Sequence, residues 1–195
     1  GRPLTAEGSI TKRSNSTVIN PFSDIKASSK KNYSFDTIQP GKNLYSDRSY
    51  KFKEIPPILQ NDAFIKTACD DAEKSKNFEL TFNLRYPSTL YLIDDSRSEK
   101  LPDWAIHHWR ETDFNIVSSE GIKMKIYEKK FPPGKVKLGP NRKGVSARKG
   151  NYLIAAKPSL LNKKDEKTSI ESALKYLPSA DAKIGKDLFM SKYGA

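Results

Sequence analysis

The stretch FELTFNL, residues Phe78–Leu84, decides the fold class. Apolar and polar side chains alternate along its whole length, which is the period of a strand with one buried face and one wet face. Pro87 ends the stretch, because proline has no N–H to donate to a neighbouring strand. We therefore predict a β-strand here and read the rest of the chain against it.

Seven further short segments have strand character, and Pro, Gly, Asn or Asp punctuate the chain between them. They are Tyr45–Lys53, Phe64–Cys69, Thr89–Ile93, Asn115–Val117, Ile122–Lys129, Lys135–Leu138 and Tyr152–Ala156. Eight short strands predict an all-β fold, a β-sandwich of jelly-roll-like type. Leu101–Trp109 interrupts them with a proline near a helix start, so we expect one or two helical turns across a sheet edge or end.

The chain divides into three parts by pattern. Residues 1–40 show no sustained period and predict a mostly disordered leader. Residues 41–157 hold the predicted strands and form the β-sandwich module. Residues 158–195 predict a linker and an amphipathic helical tail, where Thr168–Glu171 resembles a capping box.

The net charge of +12 raises the question of nucleic-acid binding. Residues 1–31 carry a net +4, residues 32–133 a net −1 and residues 134–195 a net +9. A nucleic-acid platform would place its excess charge on the folded face, so we expect no nucleic-acid partner. A basic protein that binds nucleic acid through its charged tails is the alternative. No run of eighteen apolar residues exists, so no membrane span is expected.

Four aromatic residues are candidates for a recognition face: Tyr86, Tyr91, Trp104 and Trp109. A sugar ring presents an apolar C–H face, which an exposed indole can cover, and a rim of hydroxyls, which polar side chains can bind. A tryptophan among apolar neighbours also fits a sandwich core, and this reading is favoured for Trp104.

Charged residues lie just after the Thr89–Ile93 strand. Asp94, Asp95 and Arg97 could project from a loop beside the tryptophan segment and bind hydroxyls. The predicted ligand-binding set is therefore Trp109, Asp94, Asp95 and Arg97, with Tyr91 or Trp104 behind them. Asp47 and Arg48 are predicted to be structural, since a guanidinium has five donors that can tie carbonyls or a carboxylate together at a strand start.

Catalytic and metal motifs are missing from the sequence. It contains no Gly-x-Ser-x-Gly, no phosphate-binding glycine loop and no His-Glu-x-x-His, so we predict no enzyme, no metal and no cofactor in this chain. A small polysaccharide-active enzyme is the alternative, because carboxylates are plentiful. His107 and His108 would point about 100° apart on a helix, which suits no single ion. Cys69, the only cysteine, is expected to be a small buried hydrophobe in a strand.

The order of several short phrases resembles a known kind of module. The phrases are Asp47-Arg48-x-Tyr50, Ile55-Pro56, the strand to Asp95, Leu101-Pro102-x-Trp104, Thr112 and Phe131-x-x-Gly134-x-Val136-x-Leu138-Gly139. Over residues 43–157 this order is similar to bacterial exported β-sandwich accessory domains, of the carbohydrate-binding-module or galactose-binding-like kind. In this chain a basic insertion, Asn141–Gly150, precedes the last strand.

The tail carries a second resemblance. Residues 181–195, DAKIGKDLFMSKYGA, are similar to the opening helix of c-type cytochrome domains. In that family the helix runs into Cys-x-x-Cys-His, and this sequence stops before such a motif. The resemblance implies haem in a downstream domain of a parent protein and none in this chain.

These observations lead to one functional expectation. The chain is a non-catalytic accessory module of a larger exported bacterial protein, located in the periplasm, at the cell surface or outside the cell. Its partner is either a carbohydrate or an adjoining domain of the same parent protein. The docking version predicts an exposed apolar area where that domain would rest.

Overall fold

The computed structural model of the chain describes residues 18–73, 77–98, 100–141 and 150–159. Within these residues the chain forms ten strands, one short α-helix and two 3₁₀ helices, Pro57–Leu59 and Cys69–Glu73. The strands and the helix are, in order, β1 (Phe22–Ala27), β2 (Ser34–Thr37), β3 (Phe52–Glu54), β4 (Ala63–Lys66), β5 (Leu80–Leu84), β6 (Ser88–Asp95), α1 (Asp103–Ile106), β7 (Arg110–Ser118), β8 (Lys123–Phe131), β9 (Gly134–Leu138) and β10 (Leu153–Pro158).

The strands form two antiparallel sheets. The small sheet has the order β1-β5-β9, and the large sheet has the order β2-β4-β10-β6-β8-β7-β3. The predicted all-β sandwich with a short helical insertion is thus confirmed. The alternating stretch Phe78–Leu84 contains β5, the middle strand of the small sheet.

The middle of the large sheet is buried on both faces. On one face, which we call the inner face, Leu90 and Leu92 of β6 pack in a core shared with the small sheet. On the other, the outer face, Tyr91 and Ile93 pack in a second core. Successive side chains of a strand point to opposite faces, so alternate residues of β6 pack in the two cores. The segment from residue 38 to residue 62 covers the outer face with Ile38, Leu44, Tyr45 and Leu59.

Each of the eight predicted strand segments contains or overlaps a strand. The helical segment is α1, where Pro102 has an extended backbone and its carbonyl accepts the N–H groups of Ala105 and Ile106. The first predicted segment, Tyr45–Lys53, contains much less strand than expected. Only β3, Phe52–Glu54, forms a strand there, and Asn43 and Tyr45 make isolated β-bridges. The basic insertion leaves the last strand in place, because β10 lies between β4 and β6 in the middle of the large sheet.

The prediction of a disordered leader over residues 1–40 is wrong from Phe22 onward. β1 pairs with β5, and β2 pairs with β4. Both belong to the sandwich, so the predicted module boundary at residue 41 is also too late. Residues 1–17 lie outside the described residues, as do residues 160–195, where the predicted tail helix and the cytochrome-like stretch fall.

The new boundaries also change how the positive charge divides along the chain. Residues 1–17 and 160–195 each carry a net +2, whereas residues 18–159 carry a net +8. Half of that excess comes from the four basic residues in the sequence from 142 to 149. The described residues themselves hold 19 basic and 16 acidic side chains, a net of +3, so most of the positive charge lies outside them.

Candidate functional site

A cleft of about 300 Å³ opens on the outer face of the large sheet, where β6 ends and β8 begins. Two guanidinium groups and two carboxylates line it, together with a hydroxyl and a thiol. These polar residues are Arg48, Asp70, Asp95, Arg97, Ser118 and Cys69. Ligand sites in proteins range from about 300 to 1,000 Å³, so the cleft has room for one small ring rather than for a long chain.

The apolar lining comes from Leu44, Tyr45, Tyr50, Ile122 and Met124. The rings of Tyr45 and Tyr50 meet edge to face, with centroids 6.3 Å apart. Tyr45 is buried, and its hydroxyl donates to the carbonyl of Asn151 at 2.8 Å. Tyr50 is only half-buried, so its ring is the aromatic surface that a ligand in the cleft can reach.

Arg97 is held at the cleft by the buried Asp95. Its Nε donates to both carboxylate oxygens, at 3.0 and 3.1 Å, and Nη2 donates to Oδ2 at 2.6 Å. The backbone N–H of Arg97 adds a bond to Oδ1 at 2.9 Å. Asp95 is 2% exposed, whereas the Arg97 side chain is half exposed. The carboxylate therefore fixes a guanidinium that still faces solvent.

Arg48 approaches from the loop between β2 and β3. Its Nη1 donates to the carbonyl of Asp47 at 2.8 Å, and its Nη2 bonds to Asp70. Asp47 accepts the N–H groups of Cys69 and Asp70 at 2.7 and 3.1 Å, and so caps the 3₁₀ helix that begins at Cys69. Asp47 and Arg48 thus tie this loop to the 3₁₀ helix, and Arg48 also faces the cleft.

Cys69 and Gly150 form one wall of the cleft. Cys69 begins a 3₁₀ helix, so the prediction that it lies in a strand is wrong. Burial raises the pKa of its thiol, which keeps the protonated, weakly nucleophilic form at neutral pH. A Cβ added at Gly150 would lie 2.6 Å from the Tyr45 hydroxyl oxygen, so a larger residue there would push against the cleft's own lining.

The two tryptophans do not form a sugar platform. Trp109 is 7% exposed and packs in the core between the two sheets, where its ring lies 5.7 Å from that of Phe131. Trp104 packs against the same core, its indole N–H donates to the carbonyl of Pro140 at 3.0 Å, and its ring lies against Gly139. Trp109 as the ligand-stacking residue is a wrong prediction, because its apolar neighbours bury the ring.

Tyr91 and Asp94 are also buried away from the cleft lining. Tyr91 packs in the outer-face core. Asp94 follows Ile93 on the opposite face from Asp95, and its Oδ1 accepts from the amide of Asn141 at 3.3 Å. Of the predicted ligand-binding residues, the structure thus brings Asp95 and Arg97 into the cleft and places the other four elsewhere.

The described residues contain no group of three or more His, Cys, Asp or Glu side chains arranged to hold a metal ion. They also contain no helix long and apolar enough to cross a membrane. His107 and His108 are both exposed just after α1.

Comparisons with known proteins show a shared fold only. No family model and no curated protein matches the chain. Among solved structures, a β-glucuronidase from glycoside hydrolase family 2 is similar over 70% of this chain, with 16% identity and a TM-score of 0.63. A GH138 enzyme that targets pectin rhamnogalacturonan II is similar over 68% of the chain, with 15% identity and a TM-score of 0.48, and 16% of its own length is matched. The chain spans only 14% of the glucuronidase's length, so this likeness shows a β-sandwich shared with part of a much longer protein.

Proposed function

We propose that the chain is a non-catalytic carbohydrate-binding module of a larger exported protein, and that the cleft is its sugar site. One observation carries the proposal: a single-ring cleft combines two arginines held by carboxylates with a reachable tyrosine ring and an apolar floor. A sugar needs both hydrogen-bonding groups for its hydroxyls and an apolar surface for its C–H face. The fold shared with part of a β-glucuronidase supports the same reading.

The residues divide the work by chemistry. Arg48 and Arg97 supply donors in fixed orientations. The half-exposed Asp70 supplies an acceptor at the rim. Tyr50 supplies an aromatic ring, and Ile122 and Met124 supply apolar lining. Because both arginines are already held in place, little side-chain entropy is lost when a ligand binds.

The enzymatic alternative has less support. A glycosidase needs one carboxyl group that enters the reaction protonated and a second one that acts as base or nucleophile. Both carboxylates of the cleft are occupied by guanidinium groups, since Asp95 accepts from Arg97 and Asp70 is bonded to Arg48. The non-catalytic reading is for this reason our proposal.

The domain-docking alternative requires a continuous exposed apolar area. Among the described residues, the exposed large hydrophobic side chains are Ile19, Tyr86, Ile106 and Phe114. They come from the segment before β1, the turn between β5 and β6, α1 and β7. A docked domain would have to cover side chains from several of these segments at once, whereas the cleft has its polar and apolar lining in one place.

A glycan array tests the proposal. Wild-type protein should bind at least one glycan. The Arg48→Ala variant should bind it about 10- to 100-fold more weakly, since a hydrogen bond to a charged group contributes about 1.5–3 kcal/mol. The Arg85→Ala variant removes the same charge from an exposed position outside the cleft lining, and should bind as the wild type does. Folded protein that binds no glycan would refute the proposal.

The exported location and the haem domain belong to the same proposal. The first rests on the resemblance to exported accessory modules, and the second on residues 181–195. If sequence follows Ala195 in the parent protein, a Cys-x-x-Cys-His within a few residues would support a haem domain, and another motif there would contradict it.

A further inference from the structure

We infer that the cleft selects a sugar that carries a carboxylate, a uronic acid residue, with Arg97 as the anchor for that carboxylate. The inference rests on the proposed function, because it names the ligand class of the same site. It follows from a count of donors and acceptors at the cleft.

The acceptors of Asp95 are already used. Its two oxygens receive four hydrogen-bonding contacts, all from Arg97. The carboxylate is also almost fully buried. Asp95 therefore positions Arg97 and has little capacity left to accept a bond from a ligand hydroxyl.

The donors of Arg97 are only partly used. Its side-chain contacts with described residues run through Nε and Nη2, which leaves Nη1, with two hydrogens, at the half-exposed end of the side chain. Arg48 adds a second held guanidinium to the same cleft. Arginine has only donors, so the cleft offers more donors than acceptors.

This imbalance matches a carboxylate better than a hydroxyl. A carboxylate only accepts, and its bonds to guanidinium are short and strong. A hydroxyl also needs an acceptor, and of the two cleft carboxylates Asp70 is the half-exposed one. A uronic acid satisfies both conditions: its carboxylate lies on Arg97, a ring hydroxyl donates to Asp70, and its C–H face rests on Tyr50.

Binding of three small probes to the full chain tests the inference: D-glucuronic acid, D-glucose and sodium acetate, each titrated into labelled protein and followed by NMR shifts. Glucuronic acid should bind at least about tenfold more tightly than either of the others, the loss expected when one charge-assisted bond is missing. Its affinity should fall when NaCl is raised from about 0.05 M to about 0.5 M.

Variants test the named anchor. Arg97→Gln should lose the preference for glucuronic acid over glucose, and Arg85→Gln should keep it. Arg97→Gln leaves the buried carboxylate of Asp95 without its ion-pair partner. The double variant Asp95→Asn/Arg97→Gln avoids this unpaired buried charge, and it should lose the preference for glucuronic acid as well. A tenfold preference that survives in a folded Arg97 variant would show that Arg97 is not the anchor.

The outcomes separate the inference from the proposed function. Equal binding of glucose and glucuronic acid would overturn the acidic ligand and leave sugar binding standing. Acetate that binds as tightly as glucuronic acid would reduce the cleft to a plain anion site and overturn the inference. If neither sugar shifts any cleft resonance and no glycan on the array binds, both the acidic ligand and the proposed sugar binding are refuted.

Discussion

At the scale of single residues, two neighbouring aspartates show how burial sets a role. Asp71 is fully buried, and its Oδ2 accepts the hydroxyls of Ser29 and Tyr33, both at 2.7 Å. Tyr33 in turn accepts from the amide of Asn151 at 3.0 Å. Asp71 therefore joins the segment after β1 to the 3₁₀ helix and, through Tyr33 and Asn151, to the segment before β10, while Asp70 points outward to Arg48.

Alanine substitutions of Asp70 and Asp71 should differ in their effect on stability. Asp71→Ala should lower the free energy of unfolding by about 3 kcal/mol, because the buried Tyr33 hydroxyl and the half-buried Ser29 hydroxyl lose their acceptor and the Lys31 ammonium loses a partner. Asp70→Ala should cost less than about 1 kcal/mol, since its ion pair is exposed to solvent. Urea denaturation of the two variants measures the difference. Equal losses would show that the Asp71 network contributes nothing beyond a surface ion pair.

The same scale explains which site residues the sequence could reveal. Asp95 and Arg97 were found because charged residues directly follow a strong strand. Asp94 was included with them, although adjacent residues of a strand face opposite sides. Tyr45, Tyr50 and Ile122 were missed as cleft residues because they are distant from Asp95 in sequence. Tyr45 and Tyr50 precede Asp95 by 45 or more positions, and Ile122 lies in the turn between β7 and β8. Local sequence patterns carry no information about such contacts.

At the scale of elements, strong alternation was readable and irregular edges were not. β5, with its buried–intermediate alternation, follows the sequence pattern closely. β1 was missed because its pairing with β5 is irregular between Ser23 and Lys26, and Asp24 has a positive φ of 51°. Such a bulge breaks the two-residue period, so β1 reads as an aperiodic polar stretch.

A substitution in β1 tests whether this strand belongs to the fold. Phe22 is 1% exposed, and its ring meets that of Phe82 edge to face at 5.4 Å. Phe22→Ala should therefore lower the free energy of unfolding by about 3–5 kcal/mol. Phe114→Ala makes the same change at a side chain that is 43% exposed, and should change the free energy of unfolding by about 0.5 kcal/mol or less. A Phe22 variant as stable as the Phe114 variant would restore the disordered-leader interpretation for this segment.

At the scale of the whole molecule, one sheet serves two cores. β4, β6 and β10 each send alternate side chains into the core with the small sheet and into the core of the outer face. The large sheet lines both cores, so its loss would expose the apolar side chains of both. We therefore expect both cores to unfold in a single cooperative transition.

The position of the two tryptophans makes this cooperativity measurable. Both contact the core between the sheets, whereas Phe64 belongs to the outer-face core, where its ring lies 5.2 Å from that of Phe52. Phe64→Ala should lower the free energy of unfolding by about 3–5 kcal/mol. The urea midpoint from tryptophan fluorescence should fall by the same amount as the midpoint from far-UV circular dichroism, although the substitution is on the opposite face of the sheet. A fluorescence midpoint that stays at the wild-type value while the circular dichroism midpoint falls would mean that the two cores unfold separately.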